Sequence, residues 1–345
     1  MALWLVRAGE HGEYEKKFLG ENRIYLTWDD LNRDLSKLTT REVLREVLQE
    51  VYPGTGKAKL INHSGQIFAF SQRIKKGDWV VLPSKHKRAI HIAEVIGGYT
   101  YDGGAVDPYY HYREVKWLET DIPRSNFDQD LLYSFGAFMT VCQIQRNDAE
   151  KRVREMAKTG WKETTPKPGL VPTKGGEEGE PEVGTANLEE IARDQIANLI
   201  MAKFKGHGMA RLVDGILQAQ GYTTFVSPEG PDKGIDILAA PGALGFGEPR
   251  LCVQVKSGDS PLDRPTLDQL VGTMQNVQAH QGLLVSWGGF KTSVEKETAS
   301  QFFRVRLWDQ DDLIDQILEH YDQLDPDIRV ELPLKKIWAV AVAED

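Results

Sequence analysis

Two cysteines, Cys142 and Cys252, are all that 345 residues contain, and they lie far apart. That excludes a disulfide framework and a zinc site built from paired thiolates. No run approaches the roughly 20 apolar residues that span a bilayer, and Met1 to Arg7 is not a basic region followed by a long apolar core. A cytoplasmic protein is expected. Internal repeats and heptads are missing, as are a His-Glu-x-x-His zinc motif and a Ser-His-Asp set with a nucleophile elbow. Gly54-Thr-Gly-Lys57 lacks the spacing of a phosphate loop, so a nucleoside triphosphatase is not indicated.

An excess of positive charge is also missing. The formal net charge is −9 and the pI about 5.5, which at face value argues against a nucleic-acid partner. The distribution says otherwise. Between Lys57 and Arg88 eight basic residues (Lys57, Lys59, Arg73, Lys75, Lys76, Lys85, Lys87, Arg88) stand against one acid, Asp78. From Asp309 onward eleven acids face Arg329, Lys335 and Lys336. This last stretch, holding nearly all the negative excess, reads as an acidic solubilising tail.

What is present is enough for sizeable cores: 41% hydrophobic residues with a mean hydropathy of −0.42, at a length that suggests two domains. The clearest break in composition, rich in Pro, Gly, Glu and Thr, reads as a flexible linker over 156–187 between domains 1–155 and 188–345. In the first, Thr39-Thr-Arg-Glu42 has the capping-box pattern before a helix over 40–52, and 77–82, 90–96 and 112–118 read as strands. Short strands with helices suggest a small mixed barrel. In the second, a helix over 209–217 is followed by strands at 222–226, 235–240 and 251–256, a helix at 267–274, a strand at 282–287, a helix opening on the capping-box pattern Thr292-Ser-Val-Glu295, a strand at 305–308 and a helix at 311–321. That order describes a mixed sheet flanked by helices.

Chemistry concentrates between Gly230 and Lys256. Alternation along 235–237 turns Asp236 away from Ile235 and Ile237, and Gly234 allows a tight bend before it. On the next strand Cys252, Gln254 and Lys256 share one face. A carboxylate, an amide oxygen and an ammonium group on adjacent strands are the parts a metal-dependent phosphodiesterase needs. Hard oxygen ligands hold Mg²⁺ or Mn²⁺, and a cation offsets charge developing on the phosphoryl oxygens. Asp236 is the expected ligand, Gln254 a neutral oxygen ligand or water-orienting group, and Lys256 the cation. Asp232 reads as a turn acid and Cys252 as packing.

Gly-Ile-Asp236 followed by Gln254-Val-Lys256 resembles the Mrr-type restriction endonucleases, a branch of the PD-(D/E)XK superfamily in which Gln replaces the usual acid before x-Lys. The similarity extends over roughly 190–320, through Leu212-Val-Asp-Gly-Ile-Leu, Leu284-Val-Ser-Trp-Gly-Gly-Phe and Leu307-Trp-Asp. It implies a restriction-endonuclease-like fold, Asp236, Gln254 and Lys256 as catalytic residues, and Asp236, Gln254 and Val255 as the metal set. Members often carry a Glu in the first helix, where this chain has Ala210; Asp214, one turn later, is either a substitute or an ordinary solvated acid, and His207 stands at the helix start.

The first half resembles PUA-type folds close to the EVE and ASCH groups, on Lys76-Gly-Asp-Trp-Val-Val-Leu-Pro83, Ala93-Glu-Val-Ile-Gly-Gly-Tyr99-Thr-Tyr101 and His111-Tyr-Arg-Glu-Val-Lys-Trp117. This resemblance implies a reader of a nucleotide or modified base. Trp28, Trp79, Tyr99, Tyr101 and Trp117 are candidates for stacking on a flipped base, or simply core, and the basic run is a candidate phosphate-contact surface. The expectation is therefore an α+β or α/β chain with a PUA-like barrel and a nuclease-like sheet. It would act on double-stranded DNA, base-modified or not, with Mg²⁺ or Mn²⁺, as a homodimer or higher assembly on DNA. A non-catalytic nucleic-acid-binding protein and an RNA-processing nuclease are the rival readings.

Overall fold

A computed structural model describes residues 1–137, 139–162, 188–228 and 235–338. The chain divides into two compact units, Met1–Ile191 and Ala192–Asp345. Most of the stretch read as a linker, together with Asp232, Gly234 and the final seven residues, lies outside the described residues. Among the described residues no helix is long and apolar enough to cross a membrane.

The first unit is built on a six-stranded sheet in the order β2-β5-β4-β3-β1-β6, formed by Leu3–Val6 (β1), Arg23–Tyr25 (β2), Trp79–Pro83 (β3), Ala89–Tyr101 (β4), His111–Pro123 (β5) and Val141–Ile144 (β6). β1 runs parallel to β3 and the other pairs are antiparallel. Among the described residues β2 and β6 remain as two open edges, so the barrel expected from the sequence is not a closed one. Both faces of the sheet are covered. In β1, Trp4 and Val6 enter one core with helices α2 (Arg41–Val51) and α3 (Lys57–Phe68), while Leu3 and Leu5 enter the other with α4 (Gln129–Phe135) and α5 (Ala149–Lys158). α1 (Glu15–Glu21) adds Phe18 to the first core.

Two local expectations change. Helix α2 is capped by Thr40, whose side chain accepts from Val43 N–H, and not through a Thr39–Glu42 box. Met156 and Trp161, inside the stretch read as linker, are buried in the second core of this unit. Asp78, the single acid of the basic run, is buried and accepts from Ala2 N–H, Trp4 Nε1–H and Lys75 N–H.

The second unit holds a five-stranded mixed sheet in the order β11-β10-β9-β8-β7. Tyr222–Val226 (β7) and Ile237–Pro241 (β8) form an antiparallel pair, β8 is antiparallel to Leu251–Lys256 (β9), and β9, Gln281–Ser286 (β10) and Val305–Trp308 (β11) run parallel. Its helices are α6 (Leu188–Phe204), α7 (His207–Ala219), α8 (Arg264–Asn276), α9 (Thr292–Thr298), α10 (Gln310–His320) and α11 (Pro326–Glu331). Val253 and Val255 of β9 face the core shared with α7, α10 and α11, and Cys252 faces the core shared with α8.

Here too the structure corrects the sequence. Ile235 packs in the core on the α8 side while Ile237 packs in the opposite one, because β8 begins at Ile237 and residues 235–236 precede its regular alternation. Helix α9 has no side-chain cap at Lys291, so the Thr292–Glu295 box is not formed. The box that does form is on α10, where Asp309 accepts from Asp312 N–H and Asp312 accepts from Asp309 N–H. Up to residue 338 the acidic C-terminal stretch is no tail: Leu313, Ile314, Ile317, Leu324, Ile328 and Leu332 are buried, and the acids among these described residues lie on or beside the outer faces of core helices.

Candidate functional site

Three backbone and side-chain bonds fix Asp236 before β8 begins. Its N–H donates to Val253 O on β9 (3.1 Å), its carbonyl accepts from Ser227 N–H just past β7 (2.9 Å), and its Oδ2 accepts from Val255 N–H (2.7 Å). The half-buried carboxylate is thereby held against the β9 main chain. In a pleated strand the N–H and C=O of one residue leave on the same side, so the Val255 carbonyl lies along the edge from which its N–H reaches Asp236.

Gln254 is 1% exposed, and its Oε1 is buried without a hydrogen-bond partner among the described residues. An orphaned buried acceptor costs on the order of 1–3 kcal/mol; ligation by a cation would remove that cost. Among the described residues no three His, Cys, Asp or Glu side chains converge on a point. A divalent ion would be met by one carboxylate, one amide oxygen and one main-chain carbonyl, with water completing the shell, an oxygen set that suits Mg²⁺. Lys256, two residues on and on the same strand face, is half-buried and forms no ion pair among the described residues. Burial, with the Asp236 charge adding to it, pushes the Cys252 thiol up to about 11, so it stays protonated and packs in the α8 core.

The loops beyond β9 and β10 are locked together. Trp287 N–H donates to Lys256 O, Leu262 N–H to Gly289 O and Lys291 N–H to Leu262 O. A Cβ at Gly288 would stand 2.5 Å from Asp259 C, so only glycine lets these turns approach. Ser286, in register with Lys256, is buried and donates to Gly289 O.

The first-helix positions do not supply an acid in the expected place. Ala210 is buried in the core, and Asp214 Oδ2 accepts from Gln218 Nε2, which also donates to Thr224 of the edge strand β7. What the sequence did not reveal is a bond from Gly206 N–H to Ser257 Oγ (3.0 Å), which ties the start of α7, and exposed His207, to the residue after Lys256. The Gly before an apolar helical stripe was the available signal, but its partner lies 51 residues away.

In the first unit the candidate residues separate. Tyr99 and Tyr101 both lie against His111, at ring distances of 5.9 and 5.5 Å. Trp28 meets His63 (5.7 Å), Trp117 meets His91 (6.2 Å), and Trp79 lies on the other core beside Trp161 and under Arg154. The basic residues separate as well: Lys57 and Lys59 are on α3, Lys75 and Lys76 precede β3, and Lys85, Lys87 and Arg88 follow it. Arg73 is turned inward, donating to Gln143 and covering Trp4, and Lys87 pairs with Asp121 (3.3 Å).

Comparison with known proteins adds a class to this geometry. Residues 201–317 match the restriction endonuclease family of Mrr catalytic domains, and this segment is a restriction endonuclease domain. It contains Asp236, Gln254, Val255 and Lys256. Residues 4–143 match a domain of unknown function (DUF8426). No curated protein matches the chain. Among solved structures, the DNA modification-dependent restriction endonuclease AspBHI is 13% identical, with 82% of this chain and 76% of that one covered and a TM-score of 0.33. The MspJI restriction endonuclease in complex with a 27-mer oligonucleotide is 13% identical, with 74% of this chain and 64% of that one covered and a TM-score of 0.29. At these scores neither likeness bears on the site.

Proposed function

We propose that the chain is a divalent-metal-dependent DNA endonuclease of a modification-dependent restriction or anti-phage system, whose first unit, a PUA-like reader, selects DNA and whose second unit cuts it. The observation that carries this reading is the occurrence, inside the segment that matches the restriction endonuclease family, of a main-chain-anchored Asp236 beside a strand that offers, among the described residues, a buried amide oxygen with no hydrogen-bond partner and an ammonium with no ion pair.

Asp236, Gln254 Oε1 and Val255 O are the groups that would hold Mg²⁺ or Mn²⁺, which supplies Lewis-acid stabilisation of the phosphoryl oxygens and a more acidic water. Lys256 provides a fixed positive charge toward the oxygens on which charge develops, and its main chain is held by Trp287 so that little reorganisation is needed. Val255 N–H keeps the Asp236 carboxylate oriented. Double-strand cutting calls for two such sites, so assembly as a dimer or larger on DNA belongs to the proposal.

Asp236→Ala and Lys256→Ala are each expected to lower cleavage by at least about 100-fold, the scale set by removal of one transition-state-stabilising group. A panel of cytosine- and adenine-modified and unmodified duplexes, with Mg²⁺ or Mn²⁺, measures this; wild-type rates in either variant would sink the assignment. Ala210 in the core position of the first helix favours a second reading, a nuclease fold kept as a binding scaffold. Retained DNA binding with no cutting of any duplex or matched RNA by the wild-type protein would select it.

A further inference from the structure

We propose that the turn Lys205-Gly206-His207 grips the DNA backbone in the nuclease unit, held beside Lys256 by the Ser257 hydroxyl. The inference rests on the reading of this unit as a DNA-cutting domain and adds to it a second phosphate-binding element.

The placement comes from one bond and the chain on either side of it. Gly206 N–H donates to Ser257 Oγ at 3.0 Å, and Ser257 follows Lys256 directly. Consecutive Cα atoms are about 3.8 Å apart, so through this bond the Cα atoms of Lys205 and His207 lie within about 15 Å of that of Lys256. Successive phosphates of one DNA strand advance about 3.4 Å along the axis. The turn is thus placed to meet phosphates within a few nucleotides of one at Lys256.

The backbone of the turn is specified for this shape. Gly206 has φ 74° and ψ −132°, a conformation open to glycine and costly for other residues. A Cβ there would touch nothing within 4 Å among the described residues. Glycine is therefore required by the dihedral angles and not by crowding, and those angles are what let the N–H point at Ser257.

Charge singles out the same residues. Lys205 and His207 are exposed, Lys256 is half-buried, and none of the three forms an ion pair among the described residues. Arg211 is paired with Glu331 at 2.7 Å and Arg193 with Asp315 at 2.5 Å, whereas exposed Lys203, two residues before Lys205, also forms no ion pair among the described residues and extends the same cationic patch. In a chain with net charge −9, two such ammonium groups and an imidazole donor, gathered about one hydroxyl clasp, form a place where a polyanion binds without first displacing a carboxylate.

The test uses the full chain and a labelled duplex that the wild-type protein cuts, with Ca²⁺ replacing Mg²⁺ for binding. Affinity is measured across a NaCl series. Lys205→Ala with His207→Ala is expected to weaken binding and to lower the slope of log affinity against log salt by about 0.9 for each phosphate that is no longer neutralised. Lys336→Ala, whose ammonium is already paired with Asp322 at 2.6 Å, is expected to leave the slope unchanged. Ser257→Ala should slow single-turnover cutting and Ser257→Thr, which keeps the hydroxyl, should restore it, with thermal melting of both variants matching wild type. An unchanged slope in the double variant while the wild-type protein binds and cuts DNA overturns the proposed grip and leaves the nuclease reading standing. Equal cutting by Ser257→Ala overturns the clasp. A wild-type protein that neither binds nor cuts any duplex overturns both the inference and the reading beneath it.

Discussion

Arg113 shows how strongly one residue can be committed to architecture. It is 3% exposed, and it donates from Nε to Phe70 O (2.8 Å) and from Nη2 to Ser71 O (3.0 Å), carbonyls of the π-helical turn Ala69–Arg73 that ends α3. Burial pushes its guanidinium down to about 10. Hydrogen bonds to a charged group contribute about 1.5–3 kcal/mol each, so Arg113→Met is expected to destabilise the first unit by about 3 kcal/mol in urea unfolding, while leaving cutting by any folded fraction intact. His111 gives the same unit a pH dependence. Its Nε2–H donates to Leu31 O (2.7 Å) and its Nδ1 accepts from Tyr99 O–H (2.7 Å), a fully buried neutral ring. Burial lowers its pKa below 6.5, and His63 is shifted the same way by burial and Lys59. In the window between the folded and unfolded values the unfolded chain binds more protons, so stability rises with pH there and falls as pH drops through 6.5. Melts taken between neutrality and mild acid should show that fall, and His111→Gln should flatten it in part, His63 retaining its share.

At the scale of elements, two glycines separate close approach from tolerance. Gly288→Ala drives a Cβ into the backbone of Asp259 and Ser260, at 2.5 and 2.7 Å, and neither can yield without parting the turns that carry Lys256. Gly215→Ala on α7 meets only the Cδ1 of Ile328, at 2.3 Å, the far end of a side chain that can change rotamer. Overpacking costs typically about 1–3 kcal/mol; Gly288→Ala should sit at the upper end and reduce cutting, and Gly215→Ala at the lower end with cutting preserved. Thermal melting and cleavage rates of the pair decide this. The strands β7, β9 and β11 were legible because a period of two with flanking turns leaves little choice, and so was the Gln254/Lys256 face, which follows from pleating alone. Caps were not: Thr39–Glu42 and Thr292–Glu295 have the right letters, but only dihedral angles decide which hydroxyl meets which N–H, and the box that forms uses Asp309 and Asp312. The Gly206–Ser257 clasp and the parting of the five candidate aromatics depend on which strands become neighbours, which no local pattern encodes.

Across the whole chain, the acidic segment after Asp309 changes meaning most. Ile328 and Leu332 belong to the core of the second unit, so the segment cannot be removed to test its charge. Truncation after Gln323 is expected to abolish cooperative unfolding of that unit, whereas Glu319→Gln with Asp327→Asn, both on exposed positions, should shift stability by no more than about 0.5 kcal/mol. Calorimetry distinguishes the two. Net charge therefore hides placement: among the described residues the carboxylates after Asp309 line helices whose inner faces are core.

The bond from Val255 N–H to Asp236 has one more consequence, for how freely such a sequence can drift. A main-chain amide is the same in every residue type but proline, which alone lacks the donor, so the address of the carboxylate is written in strand register and not in the letter between Gln254 and Lys256. Val255→Ile should be silent for cutting. Val255→Pro, which withdraws the donor, should behave like the loss of Asp236 itself.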